Sequence, residues 1–188
     1  MRHGKSTLAA LLLENIWAIA KAQGSDVPVQ RVSMAGKLKE SAAALIGITP
    51  EVLDGVKGFD MAHGGITITL PGQTVCLTFR EFLQRYGDEA HRRVFGEDFW
   101  VRALPPMPGV SIIDDIRYPN ELAVVDTHIA IVRPGKWGDD GHPSEAHAAA
   151  FWEGSDIQVN NNGTIEDLAT AANGIAQIIL YEMKVLRA

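Results

Sequence analysis

The stretch GVSIIDDIR (109–117) constrains the fold more than any other part of the chain. Its apolar residues run together without the polar alternation of a half-exposed strand, so a strand here must be covered on both faces. That is the situation of a strand in a parallel sheet flanked by helices. The acids that close the run fall at the strand's carboxyl end, where open α/β sheets gather their ligands. PPMPG (105–109) breaks the chain just before it.

The neighbouring patterns extend this reading. Residues 6–22 place Leu8, Leu11, Leu12, Ile16, Ile19 and Ala20 close to helical spacing, with Gly24 as a stop. QRVSMA (30–35) reads as a short strand and GKLKESAAALIG (36–47) as a helix. Thr49 to Gly65 reads as irregular because of its four glycines. Two alternating runs around Pro71-Gly72 (66–78) predict a β-hairpin. Residues 80–95 follow as a helix with a weak point at Gly87. THIAIVRPG (127–135) and SDIQVNNNG (155–163) predict strands, KWGDDGHPSEAH (136–147) a polar loop, and residues 164–186 a long helix capped by Thr164. Strands alternating with helices predict an α/β protein with a mainly parallel sheet.

Bulk composition narrows the partners. The chain has 188 residues, 46% of them hydrophobic, enough for a substantial core. Seventeen Lys and Arg against 23 Asp and Glu give a net charge of -6, which argues against a duplex nucleic-acid or anionic-membrane binder. A single cysteine, Cys76, excludes an internal disulfide and fits a reducing, cytoplasmic compartment. Glu14 and Asn15 interrupt the apolar run that follows the basic start, against a signal peptide. No stretch approaches the roughly 18 apolar residues of a membrane span.

Three constellations carry chemistry. Gly4-Lys5-Ser6-Thr7 matches the second half of a phosphate loop, GxxxxGK[ST], at a helix start, where backbone N–H groups and the lysine meet phosphate and the hydroxyl meets Mg²⁺. The same letters also fit a serine-capped helix behind a basic start. In IIDDIRYPNEL (112–122), Asp114 and Asp115 end the buried strand, as carboxylates do beside phosphate loops, and Arg117 follows them. A solvated turn is the other reading. In TFREFLQRYGDEAHRR (78–93), Arg80 and Gln84 share a helical face, and Arg92 adds a guanidinium suited to phosphate; ion pairs with Glu81, Asp88 and Glu89 would explain the charges equally. His142 and His147 match no zinc spacing.

Taken in order, GKST, SMAGKLKE (33–40), TFREFLQRYGDEAHR, DDIRYPNE and SDIQVNNNGTIEDL (155–168) resemble the phage deoxynucleoside monophosphate kinases, P-loop kinases related to adenylate kinase. The resemblance covers nearly the whole chain and is most specific around Leu83, Gln84, Gly87, Glu89 and Arg92 and in DDIRYPNE. It implies a three-layer P-loop kinase fold: one domain over 1–188, with 48–104 as the monophosphate-binding insertion and 136–147 as a lid. It further implies transfer of the ATP γ-phosphoryl group to a dNMP, with Mg²⁺, in deoxynucleotide metabolism of a host cytoplasm. Gly4, Lys5, Ser6, Thr7 and Asn160 would hold ATP, and Ser6 and Asp114 the metal. Lys39, Arg80, Gln84, Glu89, Arg92 and Asp115 would face the monophosphate, and Arg117 or Arg133 would clamp the migrating group beside Lys5 and Asp114. Two features depart from the family. Gly87-Asp88-Glu89 stands where Gly-Thr-Glu is expected, and the central strand and first glycine of the loop would fall ahead of residue 1. Another P-loop small-molecule kinase, and a non-catalytic nucleotide-binding relic, stay open beside the kinase, as does a homodimer beside a monomer.

Overall fold

Helices and short strands are interspersed along the described residues. The structure, a computed structural model, describes residues 3–59, 64–134 and 148–186. Helix α1 spans Lys5–Ala22, strand β1 Val29–Val32, α2 Gly36–Leu45 and α3 Pro50–Val56. The hairpin strands β2 (Ile66–Leu70) and β3 (Gln73–Leu77) lead into α4 (Phe79–Gly87). A π-helical turn (Asp88–Arg92) continues α4 into α5 (Arg93–Phe95), and α6 covers Phe99–Arg102. Strand β4 (Val110–Ile113) is followed by a 3-10 turn (Pro119–Val124), β5 (Ile129–Val132), α7 (Ala148–Glu153), β6 (Ile157–Asn160) and α8 (Ile165–Glu182). The protein is mixed α/β: β1 pairs with β4 and β5 with β6, both in parallel, while β2 and β3 pair antiparallel.

Contacts divide the chain into two compact units, Met34–Leu104 and the remainder, Met1–Ser33 with Pro105–Ala188. In the larger unit, Leu8, Leu12, Ile16 and Ala20 recur every fourth residue and are buried on one face of α1. With Leu168, Ala172, Ile175, Ala176 and Leu180 of α8, and Val110 and Val159 of the strands, they form one core. Ile16 is fully buried, so truncating it to alanine should cost about 2–5 kcal/mol. Helix α8 starts where Thr164 accepts from the Asp167 amide and Asp167 accepts from the Thr164 amide, two otherwise orphaned donors satisfied at once.

The smaller unit has its own core of Ala42, Ala43, Leu53, Leu77 and Phe82. Thr78 and Glu81 form a reciprocal capping box at the start of α4. Gly87 is buried because a Cβ there would lie 2.4 Å from Leu38 Cδ1, and its carbonyl accepts from Trp100 Nε1 at 3.0 Å. The glycine read as a weak point thus marks a close packing site inside a continuing helix.

Two local expectations need correction, and one helix falls where the sequence offered no reading. Residues 50–56, read as irregular, form α3: Thr49 caps it by accepting from the Val52 amide, and Pro50 sits at its first position, where a missing N–H costs nothing. Strand β4 ends at Ile113, so the acids lie beyond it and not in the ladder. A short helix, α7, precedes β6. The expected lid, 136–147, with His142 and His147, lies outside the described residues.

Candidate functional site

Helix α1 begins without the side-chain cap that α4 and α8 have. Its N-cap is Gly4, at φ 100°, in the left-handed region that favours glycine. A side chain there would be strained, and its Cβ would stand 2.5 Å from Asn161 Nδ2. The first helical bond is donated by Leu8 to the Gly4 carbonyl at 2.8 Å, so the amides of Lys5, Ser6 and Thr7 precede the ladder at the positive end of the helix. There is no acidic residue in this first turn, and Lys5, Ser6 and Thr7 are exposed. A lysine at a helix N-terminus opposes the helix dipole, so the local field favours an anion.

Asp114, just past β4, meets this helix start. Arg31 of β1 grips its carboxylate with two hydrogen bonds, Nε to Oδ1 at 2.9 Å and Nη2 to Oδ2 at 2.5 Å. The parallel register that sets Arg31 beside Ile112 puts the two within reach. The Ser6 hydroxyl lies near the same carboxylate and helps hold its charged form. Burial pushes the Asp114 carboxyl up, but the Arg31 and Ser6 hydrogen bonds, with the Arg31 charge, outweigh it and hold it below the ordinary carboxylate range. Asp114 is therefore ionised at neutral pH. Asp115 accepts from the Ser33 hydroxyl at 2.6 Å, so the two neighbouring acids have separate partners on β1 and the residue after it.

A second strand end closes on the same loop. Asn161, buried after β6, donates from its side chain to the His3 carbonyl at 2.8 Å. The Arg133 amide donates to His3 Nδ1 at 3.1 Å, and Arg133 Nε to the Asn161 carbonyl at 3.3 Å. The strand ends after β4, β5 and β6 thus surround residues 3–6. Arg117 and Asn160 are exposed near these ends, and the Arg117 amide donates to the buried Glu121 carboxylate at 2.7 Å.

Ser6 and Asp114 present hydroxyl and carboxylate oxygens, the hard donors that Mg²⁺ takes. Because Arg31 engages both Asp114 oxygens, the carboxylate would suit hydrogen bonding to metal-bound water better than direct ligation, and the Ser6 hydroxyl could supply a direct oxygen. No cluster of three or more His, Cys, Asp or Glu fit for a metal occurs among the described residues.

The remaining expected residues belong to the smaller unit. Lys39 pairs with Asp54 at 3.0 Å, which Lys57 also engages at 2.6 Å. Burial pushes the Asp54 carboxyl up, and the two lysines more than offset it, leaving it below the usual range. Arg80 and Gln84 are both exposed on α4, four residues apart. Glu89 and the buried Arg92 lie on the π-helical turn, a distortion frequent at functional sites.

Arg31, Asn161 and His3 were not expected in the site. Arg31 is one charge in the short strand VQRV, between Gln30 and Val32, and its partner lies 83 residues away. The run NNN offered a signal, but strand parity decides which asparagine turns inward: Asn160 is exposed and Asn161 buried. No protein-family model matches the chain, and no curated protein is significantly similar to it in sequence.

Proposed function

We propose that the protein is a P-loop kinase that transfers the γ-phosphoryl group of ATP to a deoxynucleoside monophosphate, giving a dNDP and ADP. The observation that carries this reading is the nearness of Ser6, at an anion-favouring helix start, to the ionised Asp114 just past the parallel strand β4. Phosphoryl transfer passes through a loose transition state that needs positioning and positive charge more than a strong base. Lys5 and the amides of residues 5–7 would bind the ATP phosphates, while Gly4 lets the backbone approach them. Mg²⁺, when bound, would neutralise charge on the phosphate oxygens; Ser6 would hold it and Asp114 would orient its water. Arg117 and Arg133, exposed beside these strand ends, are the side chains available to the migrating group. The monophosphate is assigned to Lys39, Arg80, Gln84, Glu89 and Arg92 of the smaller unit on the strength of the sequence resemblance.

The test is a Mg-ATP phosphotransfer assay with dAMP, dCMP, dGMP, dTMP and a non-nucleotide acceptor. Turnover of at least one dNMP, lost in Lys5→Ala, is the expected result. Turnover of the non-nucleotide acceptor alone would assign a different small-molecule kinase. Binding of ATP without turnover would assign a non-catalytic nucleotide-binding protein.

A further inference from the structure

The register of burial changes along the helix that follows the hairpin. Phe82 and Gly87 are buried on α4, and Tyr86 is half-buried beside them. An uninterrupted α-helix would bring Ala90, three residues after Gly87 and four after Tyr86, onto the same face. It would turn Arg92 about 140° away from Gly87. The structure has the reverse: Ala90 is exposed, and Arg92 is only 8% exposed. The π-helical turn over Asp88–Arg92 makes the difference, since one wide turn sets Arg92 where an α-helical turn would set His91.

Two side chains hold the carbonyls at the mouth of that turn. In an α-helix the Tyr86 and Gly87 carbonyls would serve the amides of Ala90 and His91. Here His91 Nδ1 donates to the Tyr86 carbonyl at 2.5 Å, and Trp100 Nε1 to the Gly87 carbonyl at 3.0 Å. A side-chain donor at such a carbonyl competes with the i−4 ladder and opens it. The Arg93 amide accordingly reaches back five residues, to the Asp88 carbonyl. A carbonyl can only accept, so His91 carries a proton on Nδ1. Its ring is fixed for that bond among Tyr86, Trp100 and Phe99, at centroid distances of 4.4, 4.9 and 5.1 Å. Trp100 is itself buried on α6, so the two bonds tie α6 to the end of α4.

We propose that His91 and Trp100 latch the π-helical turn and so act as positioning residues for Arg92, the guanidinium assigned above to the monophosphate. They act through the backbone. The latch stands on the geometry alone; its service to the monophosphate rests on the kinase reading.

Two variants of the full chain separate donor from ring. His91→Phe keeps a ring among the same neighbours and removes the donor. His91→Asn gives up the ring but returns an N–H close to the place of Nδ1. Hydrogen exchange, read without nucleotide, reports the turn, and initial rates with Mg-ATP and a dNMP report the reaction. In His91→Phe the Arg92 and Arg93 amides should exchange about tenfold faster, while the Phe82 amide at the start of α4 is unchanged. KM for the dNMP should rise about tenfold with KM for ATP unaltered, and His91→Asn should restore most of both. Unchanged exchange in His91→Phe would overturn the latch even where the wild type turns over a dNMP. Acceleration at Phe82 equal to that at Arg92 would mean general unfolding and overturn it also, as would equal defects in the two variants, which belong to the ring. Faster exchange at Arg92 with an unaltered dNMP KM would overturn the positioning role. A wild type that turns over no dNMP would remove the kinase reading and that role together, and exchange would still decide the latch.

Discussion

Arg31 holds Asp114 by both carboxylate oxygens, at 2.9 and 2.5 Å, and so joins β1 to the strand end that meets helix α1. Asp114 is nearly covered while Arg31 is half exposed, with side-chain exposures of 10% and 47%. Solvent therefore weakens the pair on one side only. Arg31→Ala should lower the free energy of unfolding by about 1–2 kcal/mol at pH 7, the range for a partly screened charged hydrogen bond. The Asp114 carboxyl is depressed in the folded protein, so its contribution is complete above the unfolded value near 3.8 and fades as pH falls through the folded value. Guanidinium titrations followed by circular dichroism at pH 7 and pH 3 would read this. A gap between wild type and Arg31→Ala of equal size at both pH values would assign the effect to the arginine stem instead of the charge.

Gly4 and Asn161 compete for one space. In Gly4→Ala the new Cβ would stand 2.5 Å from Asn161 Nδ2, displacing the amide that holds the His3 carbonyl, and the residue would keep a left-handed φ. A loss of about 2–3 kcal/mol is expected from strain and crowding together. Adding Asn161→Ala removes the crowding, so the double variant should be less unstable than the sum of the single ones. Strict additivity in thermal unfolding would show that the two positions do not interact.

What was legible in the sequence was local. The spacing of Leu8, Leu12 and Ile16 marks α1, Pro71-Gly72 marks the hairpin, and Thr164 marks the start of α8, since each signal and its outcome lie within a few residues. Helix α3 was obscured by the glycines around it although Thr49-Pro50 is a start signal, and α7 begins in alanines that favour a helix without announcing one. The candidate site was half legible. Gly4, Ser6 and Asp114 were visible as residue types, but Arg31 enters through strand register, and strand parity turns Asn161 inward to His3 while Asn160 stays exposed. Register and parity are settled by packing across the sheet, which a local pattern does not record.

Gly109 and Gly24 separate contact from strain. Both have positive φ, 65° and 71°, but a Cβ on Gly109 would stand 2.3 Å from the Pro28 carbonyl oxygen, whereas Gly24 has nothing within 4 Å. Gly24→Ala should cost about 1–2 kcal/mol from backbone strain. Gly109→Ala should cost about 2–4 kcal/mol, because the obstructing atom is backbone beside the β1–β4 ladder and cannot rotate away. Equal losses in chemical denaturation would show that the start of β4 moves freely.

Lys5 is exposed, so its removal should spare the fold. In the phosphotransfer assay Lys5→Ala should lower kcat/KM by about 10²–10³, the usual cost of deleting one preorganised group that meets developing negative charge. Its thermal midpoint should match that of the wild type. A fall in midpoint that tracks the fall in activity would make Lys5 a structural residue and remove it from the phosphate site.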